Sequence, residues 1–209
     1  MITVFERIRI HIKAMRGMFI IPLAVYYILI PFAAYKLGKS PVYETAGMAA
    51  LFSEYMYNYV PAVSTLWLFL SLREYVQGQG GELLWNASAM TGLSFGIYLL
   101  QFICLLPALI LAQKDTELTG LVLQMMVIIF FMHGLAYFLC MVTGNIAAAT
   151  LAVLVYSIFS TAVIGTHSFW YQYSVLHKTD WLVYGCGYFL AGCLFFMAAH
   201  AVAKIRPAR

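Results

Sequence analysis

The chain has 209 residues, of which 64% are hydrophobic and 10% charged, with a formal net charge of +4. A soluble domain carries about 25% charged residues, and a soluble chain of this length has too much surface to hide so much apolar side chain in one core. Composition therefore excludes a soluble enzyme and points to an all-α integral membrane protein. Six spans of about 20 residues each use more than half of the length, which leaves no room for a nucleotide-binding domain. No nucleic-acid partner is expected.

The first 16 residues are basic. Phe5, Ile8, Ile12 and Met15 recur at helical spacing, and Arg7, Arg9, Lys13 and Arg16 fall largely elsewhere. That pattern predicts an amphipathic helix lying in the headgroup region. Ile8–Lys13 also alternates with period two, as a strand does. An isolated strand at a membrane surface leaves its backbone unpaired, which favours the helix.

Residues 17–209 read as one transmembrane domain. Apolar runs predict spans at Gly17–Tyr35, Tyr55–Leu72, Thr91–Ala112, Leu118–Thr143, Ala147–Gly165 and Trp181–Ala203. The first run is long enough to span and is not followed by a small-residue cleavage site, so no signal peptide is expected. Thr143-Gly144-Asn145 is a turn signal that splits a run too long for one helix. Two connections stand out. Ser71–Ala89 carries charge, glycines and then Leu83-Leu84-Trp85. Thr166–Asp180 is rich in Trp, Tyr and His, residues suited to a membrane–water boundary.

Lys and Arg set the orientation. With six spans, one side collects Arg7, Arg9, Lys13, Arg16, Arg73, Lys204, Arg206 and Arg209, and the other Lys36, Lys39, Lys114 and Lys178. The positive-inside rule then places both termini in the cytoplasm.

Residues that carry chemistry are sparse. His11, His133, His167, His177 and His200 show no metal-ligand spacing, and no metal site is expected. His133 lies inside span four, where a polar side chain is a functional candidate; the plainer reading is a neutral ring bonded to a neighbouring helix. His200, near the end of span six, is expected to snorkel towards the headgroups. Ser157, Ser160 and Thr161 read as helix-packing groups. Cys104, Cys140, Cys186 and Cys193 fall in apolar runs and read as small buried hydrophobes. Gly78-Gln79-Gly80-Gly81 lacks the Lys-Ser/Thr of a phosphate loop. Asn86-Ala87-Ser88 matches a glycosylation sequon on the cytoplasmic side, a chance match. Pro22, Pro31, Pro61 and Pro107 are expected to kink spans. With spans nearly free of charge, the energy for any transport has to come from elsewhere. The loop Ser71–Ala89 suggests the route: a short helix from Gly81-Glu82 sets an acid at its own positive end and projects Leu83, Leu84 and Trp85 as an apolar face, either to bury in the membrane boundary or to dock into a partner's groove.

Taken together, the basic amphipathic start, six spans, internal termini and the span two–three connection resemble the membrane subunit of ABC-2 type (type V) ABC exporters. The local likeness is Arg73-Glu74 at the end of span two, then Gly78 to Gly81, then Glu82-Leu83-Leu84. The family's Thr or Ser before that Glu is here Gly81, and its following proline segment is here Trp85-Asn86-Ala87-Ser88. The resemblance implies that Arg73, Glu74, Gln77, Gly81, Glu82, Leu83, Leu84 and Trp85 form a coupling loop for a separate ATP-binding subunit. ATP and Mg would sit on that partner and no cofactor on this chain. It implies a second membrane subunit, identical or homologous, a bacterial cell membrane, and an outer hairpin in which Phe169, Trp170, Tyr171 and Tyr173 are a candidate gate. The cargo expected is hydrophobic or amphipathic: a peptide or bacteriocin, a lipid or a drug. The competing reading is a small intramembrane enzyme, needing His133 or a convergence of His167, His177 and Asp180, or an accessory subunit of a membrane complex.

Overall fold

A computed structural model describes residues 16–38, 48–77, 86–111, 118–160 and 181–205, and these are helical apart from short turns, with no strand among them. A 3₁₀ turn at Arg16–Phe19 leads into α1 (Ile20–Ala24), a π-helical turn (Val25–Leu29) and α2 (Ile30–Gly38). Then follow α3 (Met48–Val76), α4 (Ala87–Leu111), α5 (Leu118–Thr143), α6 (Ile146–Ile158) and α7 (Trp181–Ile205). The expected interfacial residues Arg7, Arg9 and Lys13 lie outside the described residues, while Arg16 opens the 3₁₀ turn.

Among the described residues, three helices are long and apolar enough to cross a membrane: Ala87–Pro107 within α4, Leu123–Thr143 within α5 and Gly185–Ile205 within α7. The expected fourth span coincides with α5. Other boundaries move. The second helix runs from Met48 to Val76, beyond both ends of the expected span, because Glu54 and Asn58 are compatible with helical backbone although they weaken the apolar pattern. The third starts at Ala87 rather than Thr91, because Asn86 supplies its cap. The apolar helices at Ile20–Ala33 and Ile146–Ile158 are shorter.

The first of these is also irregular. Pro31 has no N–H and its ring crowds the carbonyl four residues back. The turn just before it widens, and the Ile30 N–H bonds to the Val25 carbonyl, a spacing of the π type. The kink expected from proline is thus a local widening here.

α5 is the centre of the bundle. It packs against α3, α4, α6 and α7, most extensively against α7. Between helices in lipid there is no hydrophobic driving force, so association depends on close packing and small residues. Gly134 and Gly192 provide that. A Cβ on Gly134 would sit 2.8 Å from the Gly192 carbonyl oxygen, and one on Gly192 would sit 2.8 Å from the Phe130 ring and 3.2 Å from the Phe131 Cα. Aromatic side chains fill the space on either side of this contact. Phe130 stacks on Phe196 at 5.1 Å, and Phe131 meets Tyr188 edge-on at 4.7 Å. Each such pair adds about 0.5–1.5 kcal/mol beyond its buried area in water.

The outward faces are apolar. Ile28, Ile103, Leu151, Leu190 and Leu194 are each more than 60% exposed. Exposed apolar surface on this scale is unstable in water, and lipid is the solvent it fits. All four cysteines are free thiols. Cys140 is buried as expected, but Cys186 lies on an exposed face.

Gly134→Ala is expected to destabilise the purified protein by about 1–3 kcal/mol, because one of two backbones has to move. Thermal unfolding in detergent measures it as a drop of several degrees. An unchanged midpoint would mean that these helices do not touch at this pair.

Candidate functional site: polar groups inside the bundle

Polar side chains inside the described bundle fall into two groups, one at the helix ends next to residues 78–85 and one at mid-span. At the helix ends, Gly144 adopts φ 63°, the left-handed conformation that only glycine enters without cost. It closes α5 with a bond from its N–H to the Cys140 carbonyl at 3.0 Å. Asn145 then caps α6: its Oδ1 accepts from the Ala147 and Ala148 N–H groups at 2.9 and 3.3 Å. The same Oδ1 accepts a longer bond from Gln77 Nε2 at 3.4 Å, which ties the end of α3 to this turn.

Asn86 caps α4 in a similar way, with its Oδ1 accepting from the Ala89 N–H at 3.1 Å. The sequon residue therefore has a structural role. One turn on, the Thr91 hydroxyl joins three helices. It donates to the Ala87 carbonyl at 2.9 Å. A hydroxyl has one hydrogen and two acceptor positions, so it accepts from the Tyr137 hydroxyl at 3.0 Å and from His200 Nδ1 at 2.9 Å. His200 thus turns inwards to α4 instead of snorkelling, because Thr91 offers an acceptor within the bundle. Its Nδ1 carries the proton.

At mid-span, the widened turn places Tyr26 against Gln101 of α4, whose Nε2 donates to the Tyr26 hydroxyl. Tyr27 donates to the Cys104 carbonyl at 2.6 Å. Both Tyr26 and Gln101 are fully buried, and Gln101 Oε1 has no hydrogen-bond partner among the described residues. His133 is likewise fully buried. Its Nδ1 donates to the Ile129 carbonyl at 3.0 Å, and its ring meets Tyr98 edge-on at 5.8 Å. The expected bond to a neighbouring helix is replaced by one to the preceding turn of α5 itself. The proton on Nδ1 leaves Nε2 as an acceptor, and this atom has no partner among the described residues. Ser71 Oγ, towards the Val76 end of α3, is the third such atom among the described residues.

Of the expected coupling residues, Arg73 and Gln77 are exposed at the end of α3 and Glu74 lies on that helix. Gly81, Glu82, Leu83, Leu84 and Trp85 lie outside the described residues. So do the gate candidates Phe169, Trp170, Tyr171 and Tyr173, as well as His11, His167, His177 and Thr161. Ser157 and Ser160 are buried, and Ser160 donates to the Ser157 carbonyl at 3.0 Å within its own helix. No group of three His, Cys, Asp or Glu able to hold a metal occurs among the described residues. Asn145 was legible as part of the Gly-Asn turn, whereas Gln101 and the Thr91 hydroxyl had no expected role. Gln101 was findable as the one amide side chain within its apolar span. Tyr26 was not, as one of 15 tyrosines.

Thr91→Val removes the acceptor for both Tyr137 and His200. At about 0.6 kcal/mol per bond inside a membrane, the expected loss is about 1 kcal/mol in a denaturation series. His133→Leu, by contrast, removes an unpartnered acceptor and is expected to leave stability within about 1 kcal/mol of wild type or raise it. A large loss there would mean that Nε2 has a partner in the membrane.

The interpretation of these groups rests on their geometry: no family model matches the chain, and no curated protein and no solved structure matches it.

Proposed function

We propose that this chain is the six-span membrane subunit of an ATP-driven exporter of the ABC-2 type, with both termini in the cytoplasm. It would pair with a second membrane subunit and with a separate ATP-binding subunit that holds ATP and Mg. The cargo is hydrophobic or amphipathic and moves outwards. The chain itself performs no covalent chemistry.

One observation carries most of the support. The 78–85 stretch leaves α3 at Gln77, which is bonded to the α5–α6 turn through Asn145. It enters α4 at Asn86, and the first turns of α4 are bonded through Thr91 to α5 and α7. A force applied to that stretch is therefore carried by hydrogen bonds and helix caps into α3, α4, α5, α6 and α7. Such a connection suits a membrane subunit driven by an ATPase on a separate chain. The exposed apolar faces of α6 and α7 offer area for a second membrane subunit as well as for lipid. The three long apolar helices are compatible with the membrane setting.

A specific observation also favours a second reading, an intramembrane enzyme. His133 presents an unpartnered nitrogen at membrane depth, and a buried polar group left unsatisfied costs about 1–3 kcal/mol. A function is one reason to retain it.

Affinity purification of the tagged chain from its native membrane, with ATPase activity measured on the eluate, separates the two. An ATP-binding subunit should co-purify with the wild type. Glu82→Lys should release it while the chain remains in the membrane fraction, since a reversed charge at a docking surface costs several kcal/mol. A chain that elutes without any such partner sinks the export reading and directs attention to His133.

A further inference from the structure

The first helix and α4 are tied together where each is weakened by proline. In the first helix, Pro31 has no N–H for the Tyr27 carbonyl. The Ile30 N–H bonds to the Val25 carbonyl instead of that of Tyr26, so two successive carbonyls lose their usual helical donor. In α4, Pro107 likewise removes the donor for the Ile103 carbonyl. Two hydrogen bonds join these loosened turns. Tyr27 donates to the Cys104 carbonyl at 2.6 Å, and Gln101 Nε2 donates to the Tyr26 hydroxyl. The other side of the bundle is built differently. α5, α6 and α7 contain no proline, and α5 meets α7 at the close Gly134–Gly192 contact. The first helix packs mainly on α3 and α4, not on that core.

We infer that Ile30–Gly38 is a gate that swings about the widened turn Val25–Leu29, and that the bonds made by Tyr26 and Tyr27 to α4 are the latch that fixes this turn. The hinge has a chemical cause. Helices bend sharply at proline and at π-type turns, where main-chain bonds are missing, and both defects coincide here. The latch favours the closed position, because a hydroxyl that leaves its partner inside hydrocarbon meets no water. One atom opposes it. Gln101 Oε1 is buried without a partner among the described residues; closure keeps it unsatisfied, and opening lets the amide reach a donor from outside the bundle. Bonds made in one position and an acceptor released in the other give an element with two positions. The gate has 9 residues, so it is a lever about 13 Å long at about 1.5 Å per residue. A bend of about 20° moves its end by about 5 Å. The hinge does not depend on an ATPase. Under the export reading, with both termini in the cytoplasm, the gate lies on the outer side, where cargo leaves.

The test is a pulsed spin-label distance measurement on the full chain in phosphatidylcholine vesicles. The four cysteines are first replaced by alanine, which keeps the latch because Cys104 contributes only its backbone carbonyl. One label sits at Leu151 on α6. The second sits at Lys36, beyond the hinge, or at Ile20, before it; all three positions are exposed. With the latch intact, the 36–151 pair should give one dominant distance. Tyr27→Phe and Gln101→Leu should each add a second distance about 5 Å away, while the 20–151 distance stays the same. Pro31→Ala restores the missing N–H and should abolish the second distance in the Tyr27→Phe background. Either latch variant carries the test alone if the other fails to fold. A single, unshifted 36–151 distance in the latch variants would overturn the inference. An equal change in the 20–151 pair would overturn it too, because the first helix then moves as a whole. Survival of the second distance after Pro31→Ala does the same, because the hinge then lies elsewhere. Absence of an ATP-binding partner, by contrast, bears only on the export reading.

Discussion

The bundle depends on how closely α5 approaches α7. Lipid tails are as apolar as leucine, so two helices in a membrane gain little by hiding apolar side chains from their surroundings. They gain by dispersion contact, which falls off steeply with separation. Gly134 and Gly192 remove the side chains at the contact, and the Gly134 position comes within 2.8 Å of the opposite carbonyl for any added Cβ. The rings of Phe130, Phe131, Phe195 and Phe196 are then set at packing distance by the backbones, not the reverse. Phe189 of α7 stacks on Phe130 of α5 across the same interface.

Polar groups are distributed by what they can reach. At the helix ends the backbone itself has unsatisfied groups, and short polar side chains supply partners: Asn86 for α4, Asn145 for α6. Thr91 gathers Tyr137 and His200 because a hydroxyl can accept twice while donating once. At mid-span such partners are scarce. Tyr26 and Gln101 satisfy each other in part, while Gln101 Oε1 and His133 Nε2 remain unpartnered. The hydrogen-bonded end suits the transmission of force that the export reading requires. The mid-span atoms suit binding or chemistry. The export reading uses the first set and the enzymatic reading the second, which is why the partner subunit and His133 separate them experimentally.

Much of the fold was legible in the sequence. Long apolar runs predict helices whatever their surroundings, because a backbone in lipid has to satisfy its own hydrogen bonds. The limits of α5 and the Thr143–Asn145 turn follow directly, since Gly-Asn supplies both a left-handed residue and a cap. The start of α4 was misplaced by one turn. Asn86-Ala87-Ser88 can be read as a sequon or as a cap, and only the position of the Ala89 N–H distinguishes them. The expected coupling loop is flanked by described helix ends, but Glu82 and its neighbours are not among the described residues.

Composition and periodicity alone determined that the described segments are helical, that they suit an apolar surrounding and that charge is sparse within them. These are properties of each segment taken singly. Pairing was decided by the tertiary structure: which helix meets α5 at Gly134, that His200 bonds to Thr91 and not to the headgroups, and that His133 bonds within its own helix. The physical reason is that helix periodicity reports which residues share a face, whereas partners across faces are set by shape and by the few acceptors within reach.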